Sequence, residues 1–207
     1  MANIIPQWAD QQLSANLQNV REAGEGPAVE FKERFPEQAH RLAQELAALG
    51  TSGGGVLYVG INDNGDLVGV EASDGDSRDK LVQRAQGTRS TIQPNLRADI
   101  LFAVENNTPV LAIRIPPQDE PVFYYDHRPY IRDGRTSRPA TPDEVKERVW
   151  AHPSSEHKRR VEELKIKQAE LLIKPAETLQ QLHQQAADQA AELDQIANEA
   201  LARHLKR

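Results

Sequence analysis

The feature of this sequence that most limits its fold is the apolar run Val56-Leu57-Tyr58-Val59-Gly60-Ile61, which follows the glycines Gly53 to Gly55. A nearly continuous apolar run of this length is typical of a strand that is covered on both faces. The pair Asn64-Gly65 comes next and predicts a tight turn, so we expect a hairpin whose second arm is 67–70. The run therefore predicts a layered fold in which helices pack against a sheet.

Helical and extended patterns alternate over the first 150 residues. Apolar residues spaced three and four apart predict helices over 8–23 and 38–49, and a shorter helix is expected over 74–84 with Leu81 and Val82 facing inward. Alternating or continuous apolar residues predict strands over 28–32, 100–104 and 110–115, and a hairpin formed by 123–125 and 130–132. Strands joined by tight turns are antiparallel, so we expect an α/β (α+β) fold with a mixed sheet and packed helices.

A helix start and a domain boundary follow. Thr141-Pro142-Asp143-Glu144 combines an N-cap threonine, a proline at the first helical position and a glutamate placed for a capping box. This helix is expected to run to about Trp150 and to end at His152-Pro153, because the residue before a proline disfavours the helical conformation. We therefore divide the chain into a domain over 1–153 and a tail over 154–207.

The tail has a different composition, rich in Gln, Ala, Glu, Lys and Leu and free of glycine. This composition predicts a long C-terminal helical extension, as a coiled coil or a helical hairpin that makes the protein a homo-oligomer. The alternative is a solvated helix that packs back on its own domain. The stripe expected to mediate association consists of Leu179, Leu182, Ala186, Leu193, Ile196 and Ala200.

Charge and composition exclude several classes of function. The net charge of -6 lies wholly in the first 153 residues, because the tail has nine basic and nine acidic residues. Bulk positive charge therefore cannot hold a nucleic acid, and a local basic patch or bound metal ions would be needed. The chain has no cysteine, which excludes disulfides and thiolate zinc sites. No secretory leader and no apolar stretch of about 20 residues is present, so we expect a cytoplasmic protein without a membrane segment.

Three segments together resemble the Schlafen family's AlbA-like domain, over roughly residues 10–150. The first is Glu25-Gly26-Pro27-Ala28-Val29-Glu30-Phe31-Lys32, and the second runs from Thr51-Ser52-Gly53-Gly54 to Asn62-Asp63 and on to Val68-Gly69-Val70. The third is Tyr130-Ile131-Arg132-Asp133-Gly134-Arg135-Thr136-Ser137-Arg138-Pro139-Ala140. The resemblance implies an α/β domain that acts on nucleic acid.

The resemblance also implies a metal site. Its three carboxylates are Glu25, Glu30 and Asp63, which would hold Mg²⁺ or Mn²⁺ in a metal-dependent endoribonuclease acting on structured RNA such as tRNA, as a stress or antiviral-defence effector. Hard oxygen ligands suit these ions, which activate water and neutralise phosphate charge. Glu22 is a rival for the first position. The alternative is that Glu30 and Lys32 face solvent on a strand, Asp63 belongs to a turn and Glu25 is surface charge.

The third segment supplies a local basic patch. We expect Arg128, Arg132, Arg135 and Arg138, together with Lys32, to contact phosphates, and Tyr130 to stack on bases. The alternative is that these arginines pair with the domain's own acids. The glycine triplet does not indicate a phosphate-binding P-loop, because no Gly-Lys-Ser or Gly-Lys-Thr follows it and it enters a strand.

Three functions remain open at this point. They are the endoribonuclease, a non-catalytic DNA- or RNA-binding regulatory module that uses the basic patch of the third segment, and an assembly protein that acts through its helical tail.

Overall fold

The computed structural model describes residues 5–152, 160, 162–167, 181 and 183–195. The chain forms two compact units, Met1–His152 and Pro153–Arg207. In chain order the first unit contains α1 (Gln11–Ala23), β1 (Val29–Lys32), α2 (Ala39–Thr51), β2 (Gly55–Val59), α3 (Gly75–Arg89), β3 (Ile92–Gln93), β4 (Asp99–Glu105), β5 (Thr108–Ile115), β6 (Tyr124–Tyr125), β7 (Arg128–Asp133), β8 (Thr136–Pro139) and α4 (Pro142–Ala151).

The main sheet has four strands in the order β1-β2-β5-β4. β1 runs parallel to β2, with Glu30 opposite Leu57, whereas β2, β5 and β4 are joined by antiparallel pairs. A helix, α2, connects the parallel pair, as the crossover between parallel strands requires. The predicted mixed sheet with packed helices is confirmed.

β2 is covered on both faces. Leu57 and Val59 lie in a core cluster with α2 and part of α3, and Tyr58 lies in a second cluster with Leu17 of α1. All three strand residues are at most 3% exposed. This is the burial that the continuous apolar run predicted, because neither face of the strand meets water.

The glycines at the start of β2 allow two neighbouring chain segments to approach closely. Gly54 has a φ of +100°, and a Cβ there would lie 2.6 Å from the carbonyl oxygen of Ile115. A Cβ on Gly55 would lie 2.4 Å from the carbonyl oxygen of Ala28. A side chain at either position would clash with the backbone of a neighbouring segment, so both positions require glycine.

Capping side chains set the first residues of α1 and α4. Asp10 caps α1 by accepting a hydrogen bond from the Leu13 N–H at 2.8 Å, so α1 begins later than the predicted residue 8. Thr141 and Glu144 form the predicted capping box of α4. α3 runs to Arg89 rather than ending at residue 84.

The predicted second arm of the hairpin, 67–70, is not a strand. Only an isolated bridge joins Ile61 to Leu67. The N–H groups of Val68 and Gly69 both donate to the carbonyl of Gly60, and the N–H of Val70 bonds to Pro109 at the start of β5. The segment therefore turns away from β2 and continues towards β5 instead of extending the ladder.

A second, antiparallel sheet has the order β3-β6-β7-β8. Its β7–β8 hairpin was not foreseen, although β6 and β7 were. The end of α2 fixes this sheet in place, because Thr51 Oγ1 accepts a hydrogen bond from the Phe123 N–H and Ser52 Oγ accepts one from the Arg132 N–H, both at 2.9 Å. Arg148 of α4 donates to the Thr51 carbonyl.

In the second unit, the described residues 162–167 and 183–195 are helical, and their side chains are exposed. Four members of the predicted stripe, Leu179, Leu182, Ile196 and Ala200, lie outside the described residues, so the continuous extension stays a prediction. Across the part of the chain that is described, no helix is long and apolar enough to cross a membrane.

Candidate functional site

Glu30 lies in the middle of β1 and is 4% exposed. Its Oε2 accepts a hydrogen bond from Arg132 Nη1 at 2.7 Å, and its Oε1 accepts one from Lys32 Nζ. An ionised carboxylate at this depth needs such cations, because an unpaired buried charge is strongly destabilising. Glu30 therefore does not face solvent.

Arg132 of β7 is the centre of this arrangement, and its side chain is 1% exposed. It donates to Glu30, to Glu45 Oε2 at 3.1 Å and to Ser137 Oγ at 3.2 Å, and it reaches the carbonyl of Gly26 at 2.8 Å. Among the described residues its Nε is buried without a hydrogen-bond partner. The planar guanidinium can serve several acceptors at once, which favours arginine over lysine here.

Glu45 of α2 completes the cluster. Its Oε2 also accepts a hydrogen bond from the Ser137 hydroxyl, and its Oε1 lies 3.9 Å from Lys32 Nζ. We call Glu30, Lys32, Glu45, Arg132 and Ser137 the buried ion-pair network. It joins β1, α2 and the β7–β8 hairpin through two carboxylates and two cations.

Glu25 lies beside this network and is also engaged. Its Oε1 accepts the N–H of Phe31 at 2.9 Å, and its Oε2 pairs with Arg135 Nη2 at 3.4 Å. Its rival Glu22 is exposed on α1 and bonds to Gln18. Glu25 therefore fixes the loop that leads into β1, and Arg135 ties it to the β7–β8 hairpin.

Asp63 is exposed in the turn after β2. Asn62 organises that turn, because its Oδ1 accepts hydrogen bonds from the N–H groups of Asn64 and Asp66. Within the described ranges, no group of three or more His, Cys, Asp or Glu side chains comes close enough to hold a metal ion. Asp63 is thus not brought into one cage with Glu25 and Glu30.

These residues do not fit a divalent metal ion as they are arranged. All four carboxylate oxygens of Glu25 and Glu30 already accept hydrogen bonds, three of them from cations. A dication placed there would also meet the buried positive charge of Arg132. The donor set is one of internal ion pairs and not a group of converging ligands.

The β7–β8 hairpin buries some of the residues that were predicted to contact nucleic acid and exposes others. Tyr130 is 6% exposed and belongs to the core, and Arg132 is buried. This burial departs from the expectation that both contact a nucleic acid, because neither side chain reaches the surface. Arg128 is exposed, and the side chain of Arg135 is 61% exposed, so these two can meet a phosphate.

Arg138 anchors α4 to the hairpin. It pairs with Asp133 at 2.8 Å and holds Glu144 through two hydrogen bonds of 2.8 and 3.0 Å. The Arg138 guanidinium, helped by the Thr141 N–H, lowers the pKa of the Glu144 carboxyl to about 2. The same carboxylates raise the pKa of Arg138.

A groove with a cavity volume of about 640 Å³ opens between α3 and the connection from β1 to α2. Three cations, Arg34, Lys80 and Arg84, line it, with Glu71 as the only acid among its lining residues. We call it the cationic groove. The uncharged part of its lining consists of Ser77 and of an apolar group that we call the apolar floor: Phe35, Val68, Gly69, Val70 and Leu81.

Sequence reasoning missed Glu45 and the cationic groove. Glu45 lies at helical spacing from Leu42 and Leu49, on the buried stripe of α2, and a glutamate on such a stripe is a signal of buried pairing. The groove cations stand at positions 34, 80 and 84 and have no common local pattern. Only the folded chain brings them together.

Comparison with known proteins identifies a family and similar structures. The sequence model of the family described as Schlafen, AlbA_2 matches residues 25–141. The crystal structure of the DIP2311 protein from Corynebacterium diphtheriae matches at 25% identity with a TM-score of 0.50, over 69% of this chain and 29% of that protein. This chain therefore spans less than a third of that protein's length.

A solution structure gives a weaker match. It is the N-terminal domain of a protein from Nitrosomonas europaea that is related to the ATP-dependent DNA helicase RecG, at 23% identity and a TM-score of 0.36, over 50% of this chain and 72% of that domain. No curated protein matches the sequence.

Proposed function

Because the chain belongs to the Schlafen AlbA_2 family, we propose that it is a nucleic-acid-binding module that does not cleave what it binds. Family membership indicates a function related to nucleic acid. The observation that carries the proposal is the pairing of the carboxylates: Glu30 and Glu45 neutralise Arg132 and Lys32, and Glu25 is bound to Arg135. These carboxylates hold the hairpin on α2 and β1.

The hairpin contributes two phosphate contacts in this proposal. Arg128 and Arg135 are exposed at its two ends, and Arg132 and Arg138 fix its position through ion pairs with the domain's own carboxylates. Phosphate contacts of this kind position a nucleic acid without reading its sequence. The acidic balance of the domain makes such local cations necessary.

The endoribonuclease is the second candidate. It is favoured by the proximity of Glu25 to Glu30, since Glu25 accepts the N–H of Phe31, the next residue after Glu30. It requires Arg132 and Lys32 to release the Glu30 carboxylate. Structured RNA such as tRNA is the substrate to test.

One experiment separates the two candidates. The purified full chain is incubated with tRNA and with single- and double-stranded DNA, in Mn²⁺ or Mg²⁺ and in EDTA. We expect binding that weakens as the salt concentration rises, and we expect the nucleic acid to stay intact under every condition. Asp63→Asn is the matched variant, because Asp63 is exposed and its loss leaves the buried ion-pair network untouched. Metal-dependent cleavage by the wild type that Asp63→Asn abolishes would establish the nuclease and overturn our proposal.

We also propose that the tail makes the protein a homo-oligomer, because Leu193 is 66% exposed on a helix and Leu164 is 58% exposed. Apolar helix faces of this kind are stabilised by packing against another helix. Light scattering on the full chain and on Leu193→Glu is the test. A monomeric wild type, or equal masses for an oligomeric wild type and the variant, would contradict this role for the tail.

A further inference from the structure

We propose that the cationic groove binds one unpaired nucleotide of a single-stranded RNA or DNA segment. The inference rests on the proposed function and gives its ligand a class. Arg34 and Lys80 would hold the phosphate, and the apolar floor beside Arg84 would receive the base.

The charges of the groove are available. Among the described residues, neither Lys80 nor Arg84 forms an ion pair, and Arg34 pairs only with its neighbour Glu33 at 3.6 Å. That pair is weak, because the side chains are 84% and 54% exposed. Asp74, the N-cap of α3, interacts electrostatically with Lys80, but its carboxylate accepts a hydrogen bond from the Ser77 N–H. The lining therefore keeps three cations against one carboxylate in a domain that is acidic overall.

Arg84 is held in place for recognition. Its guanidinium lies 4.2 Å from the centre of the Phe35 ring, and its Nη2 is 3.4 Å from the Pro36 carbonyl oxygen. Stacking on an aromatic ring orients the planar guanidinium and lowers the entropy lost when it contacts a ligand. A base can then stack against this platform or on the exposed Val68, which is 45% accessible.

The size and composition of the groove favour an unpaired nucleotide over a bare phosphate or a duplex. A cavity of about 640 Å³ falls in the range of small-molecule sites, which is more than a phosphate group fills. Its apolar floor offers nothing to an anion but suits a base. Bases inside a duplex are stacked on one another and cannot enter such a cavity, whereas single strands present them freely.

The test is binding of a labelled single strand of about 15 nucleotides, measured by fluorescence anisotropy on the full chain. Lys80→Ala/Arg84→Ala is compared with Arg97→Ala/Arg114→Ala, which removes the same charge from exposed surface pairs outside the groove. Alanine is a good helix former, so α3 is preserved. We expect the groove variant to bind about tenfold or more weakly and to lower the salt slope by about 0.7, because Lys80 is the phosphate contact of this pair and Arg84 is the platform for the base. The matched variant should change affinity less than about twofold, and the duplex of the same sequence should bind the wild type more weakly than the single strand.

The outcomes separate the groove from the proposed function. Equal loss in the two double variants, or a duplex bound as tightly as the single strand, would overturn the groove site and leave nucleic-acid binding standing. If the wild type binds no nucleic acid, the proposed function fails. The groove is then judged by NMR with uridine 5′-monophosphate: shifts of amides at Arg34, Phe35 and Lys80 that Lys80→Ala/Arg84→Ala removes would support it, and their absence would overturn it.

Discussion

The β7–β8 hairpin region carries four arginines within eleven residues, whereas the cationic groove collects its three cations from two separate parts of the chain. Three of the hairpin arginines are bound to carboxylates of the same domain, and two groove cations have no ion pair among the described residues. Most of the arginines in this dense run are thus engaged by the domain's own carboxylates, whereas Lys80 and Arg84 of the groove are left without such partners among the described residues. The difference teaches that local charge density in a sequence does not by itself mark a binding surface.

The largest difference between the hairpin and the groove is expected for a substitution at Arg132. Arg132→Met should lower the free energy of unfolding by about 3–5 kcal/mol, because it leaves the buried Glu30 and the half-buried Glu45 with only Lys32 as a cation. Urea denaturation measures the change. Arg34→Met in the groove is the matched control and should stay within about 0.5 kcal/mol.

A double variant sharpens this test. Glu30→Gln added to Arg132→Met removes the stranded charge and should recover part of the lost stability, since the two residues share one interaction. Additive losses in the double variant would mean that the guanidinium stabilises the hairpin through Gly26 and Ser137 rather than through the ion pair.

The next largest effect is expected at Ser137. Its hydroxyl donates to Glu45 and accepts from Arg132, so Ser137→Ala should cost about 1 kcal/mol. Thermal unfolding of the variant, with the exposed Thr136→Ala beside it as a control, gives the measurement. A larger loss in Thr136→Ala would show that the hairpin turn, and not the network, limits stability.

A smaller effect is expected at Arg138, because that pair is open to solvent. The pKa of Glu144 is about 2 in the folded protein and 4.5 ordinarily, so its ionised form contributes stability above pH 4.5 that is lost as the pH falls towards 2. The melting temperature of the wild type should therefore fall more steeply than that of Arg138→Gln between pH 5 and pH 2. Parallel curves would contradict the role of this pair.

The smallest effect on stability is expected in the groove. Lys80→Ala should change the free energy of unfolding by less than about 0.5 kcal/mol, because the side chain is exposed and alanine suits a helix. A destabilisation comparable to that of Ser137→Ala would erase the distinction between the two regions, since it would assign the groove cations to folding as well.

The sequence predicts those parts of the molecule whose signals are local. The apolar run before Ile61 predicted the doubly covered strand, and Thr141 with Glu144 predicted the capping box, because each signal lies within a few residues. The arm 67–70 was predicted wrongly, because its hydrogen bonds go to Gly60 and Pro109 rather than to the facing strand.

The candidate site was less accessible to sequence reasoning. Both Glu30 and Arg132 were singled out, yet their separation of 102 residues hides that they neutralise each other. The groove cations belong to a connection and to a helix that are distant in sequence, and only packing of α3 near Phe35 places them together. Pairing between distant charges is a property of the fold and leaves no periodic trace in the chain.

The distance in sequence between Glu30 and Arg132 bears on how this domain is made. A ribosome delivers β1 and α2 early, when the arginine that neutralises their carboxylates has not yet been translated. Until β7 emerges, Lys32 is the one cation of the network that can pair with Glu30, and Glu30 gains its second cation only when the hairpin packs against β1. Domains fold as units during synthesis, and here the last quarter of the domain supplies the charge that permits the first quarter to be buried.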